Sequence, residues 1–361
     1  MSRIIWLGVG CLLASSTAWA VHDGHSITTN TEIHFFADVN AQKYFGSQSS
    51  DPASPLYKTP STFRLGSLDF YVFSHLGQFS FLSETGFEPT PDGYSLDVER
   101  LQANWSPASW FTFTIGRYHT PFGYWNTAYH HGRWLFTTVD APLLFRFEDE
   151  GGPLPVHTIG VLLSGDLSLG GSVSLHYDLG AGNGRGPTPD PPQKLQDINE
   201  GKSVLFGLHL QAGGFRAGAA AWWDNSYFVS PGSSGRTAMI EEILAADITY
   251  TTAPFEVLLE GAVVRHLFNN IEVLNYGAYA QVAYQVAERW KPYARGEIQI
   301  IPRQEVYLKL TERPSPDERR ALAGIRFDPV EVLAVKLEAG VYKFKDIDLG
   351  GFIQLQFAFV Y

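Results

Sequence analysis

The chain is 361 residues long with 26 Lys and Arg against 37 Asp and Glu, a net charge of −11 that argues against a nucleic-acid partner. Aromatic residues make up 14% of it and charged residues only 17%, below the roughly 25% usual in a soluble domain. Mean hydropathy is nevertheless close to zero, and beyond the leader no apolar run approaches the roughly 18 residues of a membrane helix, so a membrane-embedded chain of this composition has to be a β-barrel.

Residues 1–20 carry one positive charge at Arg3, an apolar core from Ile4 to Leu13, and Ala18-Trp19-Ala20 as a small-x-small cleavage site. That is the layout of a secretory signal peptide. Its removal takes the net charge from −11 to −12 and carries away Cys11, the only cysteine, whose flanks from Leu7 to Gly10 fit a lipoprotein box poorly. The exported chain then has no thiol in a compartment where small folds rely on disulfides, and a scaffold closed by backbone hydrogen bonds needs none.

After a polar leader from Val21 to Asn30, period-two alternation predicts a first strand near 31–41, with Ile33, Phe35, Ala37 and Val39 opposite His34, Phe36, Asp38 and Asn40. Further strands are predicted near 63–76, 78–88, 94–105, 110–118 and 156–164. The sharpest alternation lies at 167–178, where Leu167, Leu169, Gly171, Val173, Leu175 and Tyr177 interleave with small polar residues. Strands near 203–212, 214–224, 240–250, 255–266, 275–286, 290–301, 318–327 and 331–343 follow. The last stretch, 349–361, puts Leu349, Gly351, Ile353, Leu355, Phe357, Phe359 and Tyr361 on one face and Phe352, Gln354, Gln356, Ala358 and Val360 on the other. Such an apolar, aromatic-ended strand invites pairing if left as an edge, and a barrel removes the edge by closing on it. Phe357, Phe359 and Tyr361 also resemble the signal by which outer-membrane barrels present themselves to their assembly machinery.

These make about 16 strands. The expected fold class is therefore all-β, a transmembrane up-and-down antiparallel β-barrel. One set of connections is tight, at 76–78, 106–109, 164–166, 212–214, 251–254, 287–289 and 328–330. The set alternating with it, at 42–62, 88–93, 119–155, 179–202, 225–239, 267–274, 302–317 and 344–348, is mostly longer. Short periplasmic turns and long extracellular loops alternate in this way in outer-membrane barrels. Trp105, Trp110, Phe255, Trp290 and Tyr361 near the short turns fit an interfacial aromatic girdle. A ring of this size encloses more space than its own side chains fill, so its expected function is passage of small polar or charged solutes through water.

Residues 119–155 form the longest connection and are far more aromatic than a solvated loop requires, which predicts that they fold inward and narrow the pore. There Arg117, His119, Arg133, Arg146, Glu148 and Asp149, with Glu150, would set a transverse field at the constriction. An outward flap with solvated charges is the alternative. The lumen lining is expected from His176, Asp178, His209, Gln211, Gln281, Gln285, Arg295, Glu297, Arg326 and Lys336, and the net charge predicts weak cation preference.

Gly116-Arg117-Tyr118-His119-Thr120-Pro121-Phe122-Gly123 resembles the strand-end motif G-R/K-x-x-x-P-F-G of the phosphate-selective porin O and P type family, and Gly182-Asn183-Gly184-Arg185-Gly186 resembles a loop that often follows in those barrels. The resemblance covers about a tenth of the chain directly and implies a 16-stranded, usually trimeric outer-membrane channel. The family's phosphate selectivity depends on a lysine-rich pore, and nine lysines, several in loops or strand ends, do not supply one.

No cofactor or metal is expected: His119, His130 and His131 lack a carboxylate at ligand spacing, and adjacent histidines point apart. The best catalytic triplet is Ser174, His176 and Asp178 on one strand face near its extracellular end, too widely spaced to act alone. A barrel acting through its loops, as a rim enzyme of lipase or protease type or as an adhesion or receptor surface, is therefore the second reading. The expected partners are outer-membrane lipid, the barrel assembly machinery, small solutes and further copies of the chain in a homotrimer.

Overall fold

The computed structural model describes residues 16–22, 25–46, 61–90, 93–129, 132–148, 150–189, 200–230, 232, 234–311, 315–345 and 348–361. Its strands are β1 (Ser16–His22), β2 (His25–Phe45), β3 (Thr62–Leu76), β4 (Phe79–Thr90), β5 (Gly93–Ala108), β6 (Phe111–His119), β7 (His157–Gly170), β8 (Val173–Asn183), β9 (Lys202–Ala212), β10 (Phe215–Val229), β11 (Arg236–Tyr250), β12 (Phe255–Phe268), β13 (Ile271–Tyr284), β14 (Trp290–Ile300), β15 (Glu318–Val330), β16 (Leu333–Phe344) and β17 (Gly350–Val360). From β2 to β17 each strand pairs antiparallel with the next, and β17 pairs back onto β2, which closes a ring of 16 strands. The closure runs to the last residue, since Tyr361 and Phe35 exchange backbone hydrogen bonds of 2.8 and 2.9 Å. No sheet edge is left in the ring, which is the condition for a strand-built structure to sit in lipid.

Exposure alternates as the sequence does. On β17, Ile353, Phe357 and Phe359 are about 40% exposed on the outside, while Phe352, Gln354, Gln356 and Ala358 are buried on the inside. The outward rows of the other strands carry Leu, Val, Ile, Phe and Tyr in the same way, so the outer surface is a continuous apolar band suited to hydrocarbon. The ring and this band place the protein in the cell outer membrane.

Three local expectations need correction. The stretch 167–178 is a hairpin: β7 runs on to Gly170, and Gly170 and Gly171, at φ +103° and +60°, turn the chain into β8. Residues paired across an antiparallel turn share a face, and Leu167 pairs with Leu175, so odd-numbered positions stay outside through the turn and the alternation hides it. The tight turn therefore lies at Gly170–Ser172, not at 164–166. Two connections at the long-loop end are also tight: β4 meets β5 across residues 91–92, and β12 meets β13 across Asn269 and Asn270, whose φ values of 49° and 59° make a left-handed two-residue turn.

β1 straddles the expected cleavage point after Ala20 and pairs with the part of β2 that extends past Tyr361. The ring does not depend on it, because β17 and β3 flank β2 within the barrel wall. Residues 1–15, including Cys11, lie outside the described residues.

Candidate functional site

Residues 120–156 leave β6 and return to β7 through a clamped neck. Thr120 N donates to the Val156 carbonyl at 3.0 Å, the hydroxyls of Thr120 and Thr158 meet at 2.8 Å, and Asn126 Nδ2 donates to the carbonyls of Thr120 and Val156 at 2.7 and 2.9 Å. Beyond the neck the segment turns into the barrel. Phe122, Trp125, Phe136, Leu144, Phe145, Leu154 and Val156 are all 3% exposed or less and pack on Leu205, Trp222, Ile243, Leu258 and Tyr279 of β9–β13. Each such burial is worth about 1.5–3 kcal/mol, which explains an aromatic content that no solvated loop would need. The segment folds inward as its aromatic content predicts, and it makes this half of the lumen an apolar core where a narrowed, polar-lined pore was expected.

Two glycines of the 116–123 motif make the inward path possible. Gly116 sits at φ +130° with a would-be Cβ 2.1 Å from the Leu101 carbonyl oxygen, and this turn of the backbone leaves Ile115 outside and Arg117 buried. Gly123, at φ +64°, has a would-be Cβ 1.9 Å from Glu260 Oε2. The missing side chain lets the backbone settle on Glu260, which accepts hydrogen bonds from Tyr124 N (2.7 Å), Trp125 N (3.0 Å) and the Tyr279 hydroxyl.

Charged wall residues hold the rest of the segment. Arg295 donates to Thr138 Oγ1 (3.0 Å) and to the Asp140 carbonyl (2.9 Å), Arg326 to the carbonyls of Trp134 and Phe136 (both 2.8 Å), and Lys336 to those of Arg133 (2.6 Å) and Thr138 (2.9 Å). Glu297 accepts from Leu143 N at 2.8 Å and Glu338 from Val139 N at 3.2 Å. Gln281 donates to Glu256, whose other oxygen accepts from the Thr137 hydroxyl, both at 2.8 Å. A buried irregular backbone needs such partners for its own donors and acceptors. Arg295, Glu297, Arg326, Lys336 and Gln281 thus face inward, as the alternation requires, but they grip the loop.

The charges expected at the constriction are spread out. Arg117 donates to the Glu99 carbonyl (3.0 Å), Arg133 lies 3.4 Å from Asp140, and Arg146 donates to Glu318 (3.0 Å). Burial pushes the Asp140 carboxyl up, but Arg133 and Arg320 outweigh it and hold it below its ordinary range. Glu148 accepts from Val156 N (3.1 Å) with Arg185 3.9 Å away, and burial raises its carboxyl to about 8 against the pull of Arg185. Of the five that are described, His119 alone lines the cavity against the β2–β6 wall, and Asp149, like His130 and His131, lies outside the described residues.

Toward the short turns, His176 sits between Asp166 (2.9 Å) and Asp178 (3.3 Å), and His209 lies between Asp178 (3.6 Å) and Asp247 (3.5 Å). This is the periplasmic half of β8, opposite to the extracellular position expected, because the hairpin turn falls at Gly170–Ser172. Both imidazole nitrogens of His176 face carboxylates, which leaves none to activate the Ser174 hydroxyl. Gln211 is exposed near the Gly213 turn, and Gln285 donates to the carbonyls of Ala287 and Glu288 (2.8 and 2.7 Å), capping its own turn. Phe357, Phe359 and Tyr361 point outward at the same end.

Alternation alone did not single out a second buried network at the extracellular end. Arg185, from the Gly-Asn-Gly-Arg-Gly stretch, donates to the Pro153 carbonyl (2.6 Å) and to Glu241 (3.3 Å); Glu241 meets His266 (2.9 Å), and His266 meets Glu305 (2.9 Å). Burial pushes the Glu305 carboxyl up, but its bonds to His266 and Asn275 prevail and hold it at about 2. Three loops are tied together here.

A cavity of about 240 Å³ lies between the loop residues 127–128 and 132–135 and the wall of β2–β6. Thr127, Ala128, Gly132 and Leu135 line the loop side, and His34, Phe36, Tyr71, Glu84, Arg100 and His119 the wall. Gly132 is needed for the close approach, since a Cβ there would lie 2.8 Å from the Phe36 ring. Arg100 Nε and Glu84 Oε2 are 2.5 Å apart at the midpoint of this wall. Of these residues only His119 was expected at the site; the sequence signal for Glu84 was its parity opposite the outward Phe79 and Phe81, whereas a register shift opposite Glu84 and Thr85 moves the outward row of β5 from Leu96 to Leu101 and hides Arg100 from such a reading.

A closed 16-stranded ring with an apolar outer band and one long segment folded into the lumen is a porin-like barrel of the outer membrane. Among solved structures, the chain is similar to the trimer form of OmpT, an outer membrane protein of Vibrio cholerae, at 11% identity and TM-score 0.61, covering 92% of this chain and 99% of that one. It is also similar to OprB of Pseudomonas putida (9%, TM-score 0.60, 92% and 94% covered) and to the outer membrane channel DcaP of Acinetobacter baumannii (13%, TM-score 0.56, 92% and 97% covered). At these identities the likeness concerns the fold. No family model matches the sequence, and no curated protein matches it.

Proposed function

We propose that the protein is a diffusion porin, passing small polar or charged solutes across the outer membrane between the inward segment at Thr127, Ala128, Gly132 and Leu135 and the β2–β6 wall. The observation that carries this reading is the inward segment, which fills one half of a closed ring and leaves a polar-lined cavity in the other. Similarity to a barrel described as an outer membrane channel, and to another described in a trimer form, supports both the channel and a homotrimer. The Gly116–Gly123 motif associates it with the phosphate-selective porin O and P type, without that family's phosphate specificity. Residues 1–20 act as a signal peptide, and Phe357, Phe359 and Tyr361 as the assembly signal. The buried acids Asp38, Asp69, Glu84 and Glu99 on the open side favour a weak cation preference.

Purified protein in a planar bilayer should give conductance steps that scale with salt, with a reversal potential of cationic sign under a salt gradient. A folded barrel that stays electrically silent would remove the channel, and a reversal of anionic sign would remove the preference.

A further inference from the structure

We propose that the residual lumen is a selective site for small zwitterions, of which an α-amino acid with an apolar side chain is the simplest member. This rests on the channel reading and names its solute class. The cavity of about 240 Å³ falls below the roughly 300–1,000 Å³ of pockets that take drug-sized ligands, so it suits a smaller solute.

Its chemistry is two-signed. Arg100 reaches Glu84 through Nε alone, and this pair, with the guanidinium over the Tyr71 ring at 5.6 Å, fixes the guanidinium plane. The two Nη groups make no hydrogen bond among the described residues, nor do the Tyr71 hydroxyl and the His34 ring nitrogens, all on the same cavity wall. A guanidinium held at Nε with its Nη groups unused is built to receive a carboxylate, and Tyr71 adds a further donor. Glu84, with a side chain only 2% exposed, places a negative charge beside it for an ammonium. A monoanion entering here meets Glu84 and a monocation meets Arg100. A dipolar solute finds a complementary charge at each end, which is discrimination by attraction and repulsion together. Phe36, Ala128 and Leu135 supply the apolar surface for its side chain. Among the described residues, the loop side of the lining, Thr127, Ala128, Gly132 and Leu135, carries no charge, so orientation is set by the wall.

The test is swelling of proteoliposomes in isotonic valine, sodium isovalerate, valinamide hydrochloride and erythritol, which compare one carbon skeleton in three charge states with a neutral control. Valine should enter at least about three-fold faster than either charged analogue, the discrimination expected of a partly exposed charge pair. Arg100→Gln should shift the preference to valinamide and Glu84→Gln should shift it to isovalerate. Opposite reversals of this kind do not arise from mere loosening of the site. Because each single variant leaves a partly buried charge, the double variant Glu84→Gln/Arg100→Gln, checked by the faster gel migration of unboiled protein, should lose the valine preference without gaining either other one. Equal entry of valine and a charged analogue into wild-type vesicles, or both single variants shifting the same way, would overturn the zwitterion site while erythritol entry preserved the channel. Failure of erythritol as well would overturn both.

Discussion

Lys336 is wholly buried, its Nζ donating to the carbonyls of Arg133 and Thr138 on the inward segment. Each such hydrogen bond contributes about 0.5–1.5 kcal/mol, and a buried carbonyl stripped of its partner costs about 1–3 kcal/mol. Lys336→Met keeps the volume and removes both bonds, so residues 133–138 should lift from the wall, and trypsin should cut after Arg133 in intact vesicles of the variant but not of the wild type. Glu148 gives the same segment a pH dependence. Its carboxyl is raised to about 8 from an ordinary 4.5, chiefly by burial, so the seated loop binds a proton that the released loop does not. The resulting stability is complete below pH 4.5 and disappears as pH rises through about 8. Hydrogen exchange of residues 148–156 should therefore quicken across that window beyond its intrinsic pH dependence, and Glu148→Gln should abolish the excess; a wild-type excess that survived the substitution would assign it elsewhere. At this scale the sequence was only half legible. Period two told that Arg295, Glu297, Arg326 and Lys336 face inward, yet an inward charge looks the same whether it meets water or a loop carbonyl, and the choice depends on a segment far away in sequence.

The inward segment decides how much of the ring is open. Its excess of aromatic residues made the inward fold legible, since such side chains need apolar company and the lumen wall of β9–β13 offers Leu205, Trp222, Ile243 and Leu258. Which half of the lumen it would fill was not legible, because inward rows on both halves mix apolar and polar residues. Replacing residues 124–152 by a short Gly-Ser linker retains the clamp of Thr120 on Val156 and Thr158 and removes the plug. Single-channel conductance should then rise several-fold in a barrel that still migrates fast when unboiled; an unchanged conductance would mean that the segment does not limit flow. The hairpin at Gly170–Ser172 teaches the converse lesson about elements. A tight turn whose paired residues keep one parity leaves the alternation intact, so pattern counts strands well and places their ends poorly; the glycine pair was the better marker.

For the molecule as a whole, the closing seam separates stability from assembly. β17 meets β2 through ten paired positions, and the bonds between Tyr361 and Phe35 use backbone atoms only. The Tyr361 ring is 89% exposed and so adds little burial to the folded barrel. Tyr361→Ala should accordingly leave the temperature at which the folded barrel loses its fast gel migration within a few degrees of the wild type, and should leave refolding into detergent unimpaired. If the terminal aromatic residue is what the assembly machinery reads, the same substitution should sharply lower the amount of folded protein in the outer membrane of living cells. A normal cellular yield would show that the aromatic end is lipid-facing surface and no signal. A lowered melting temperature would show that the ring stabilises the seam, against the exposure seen here.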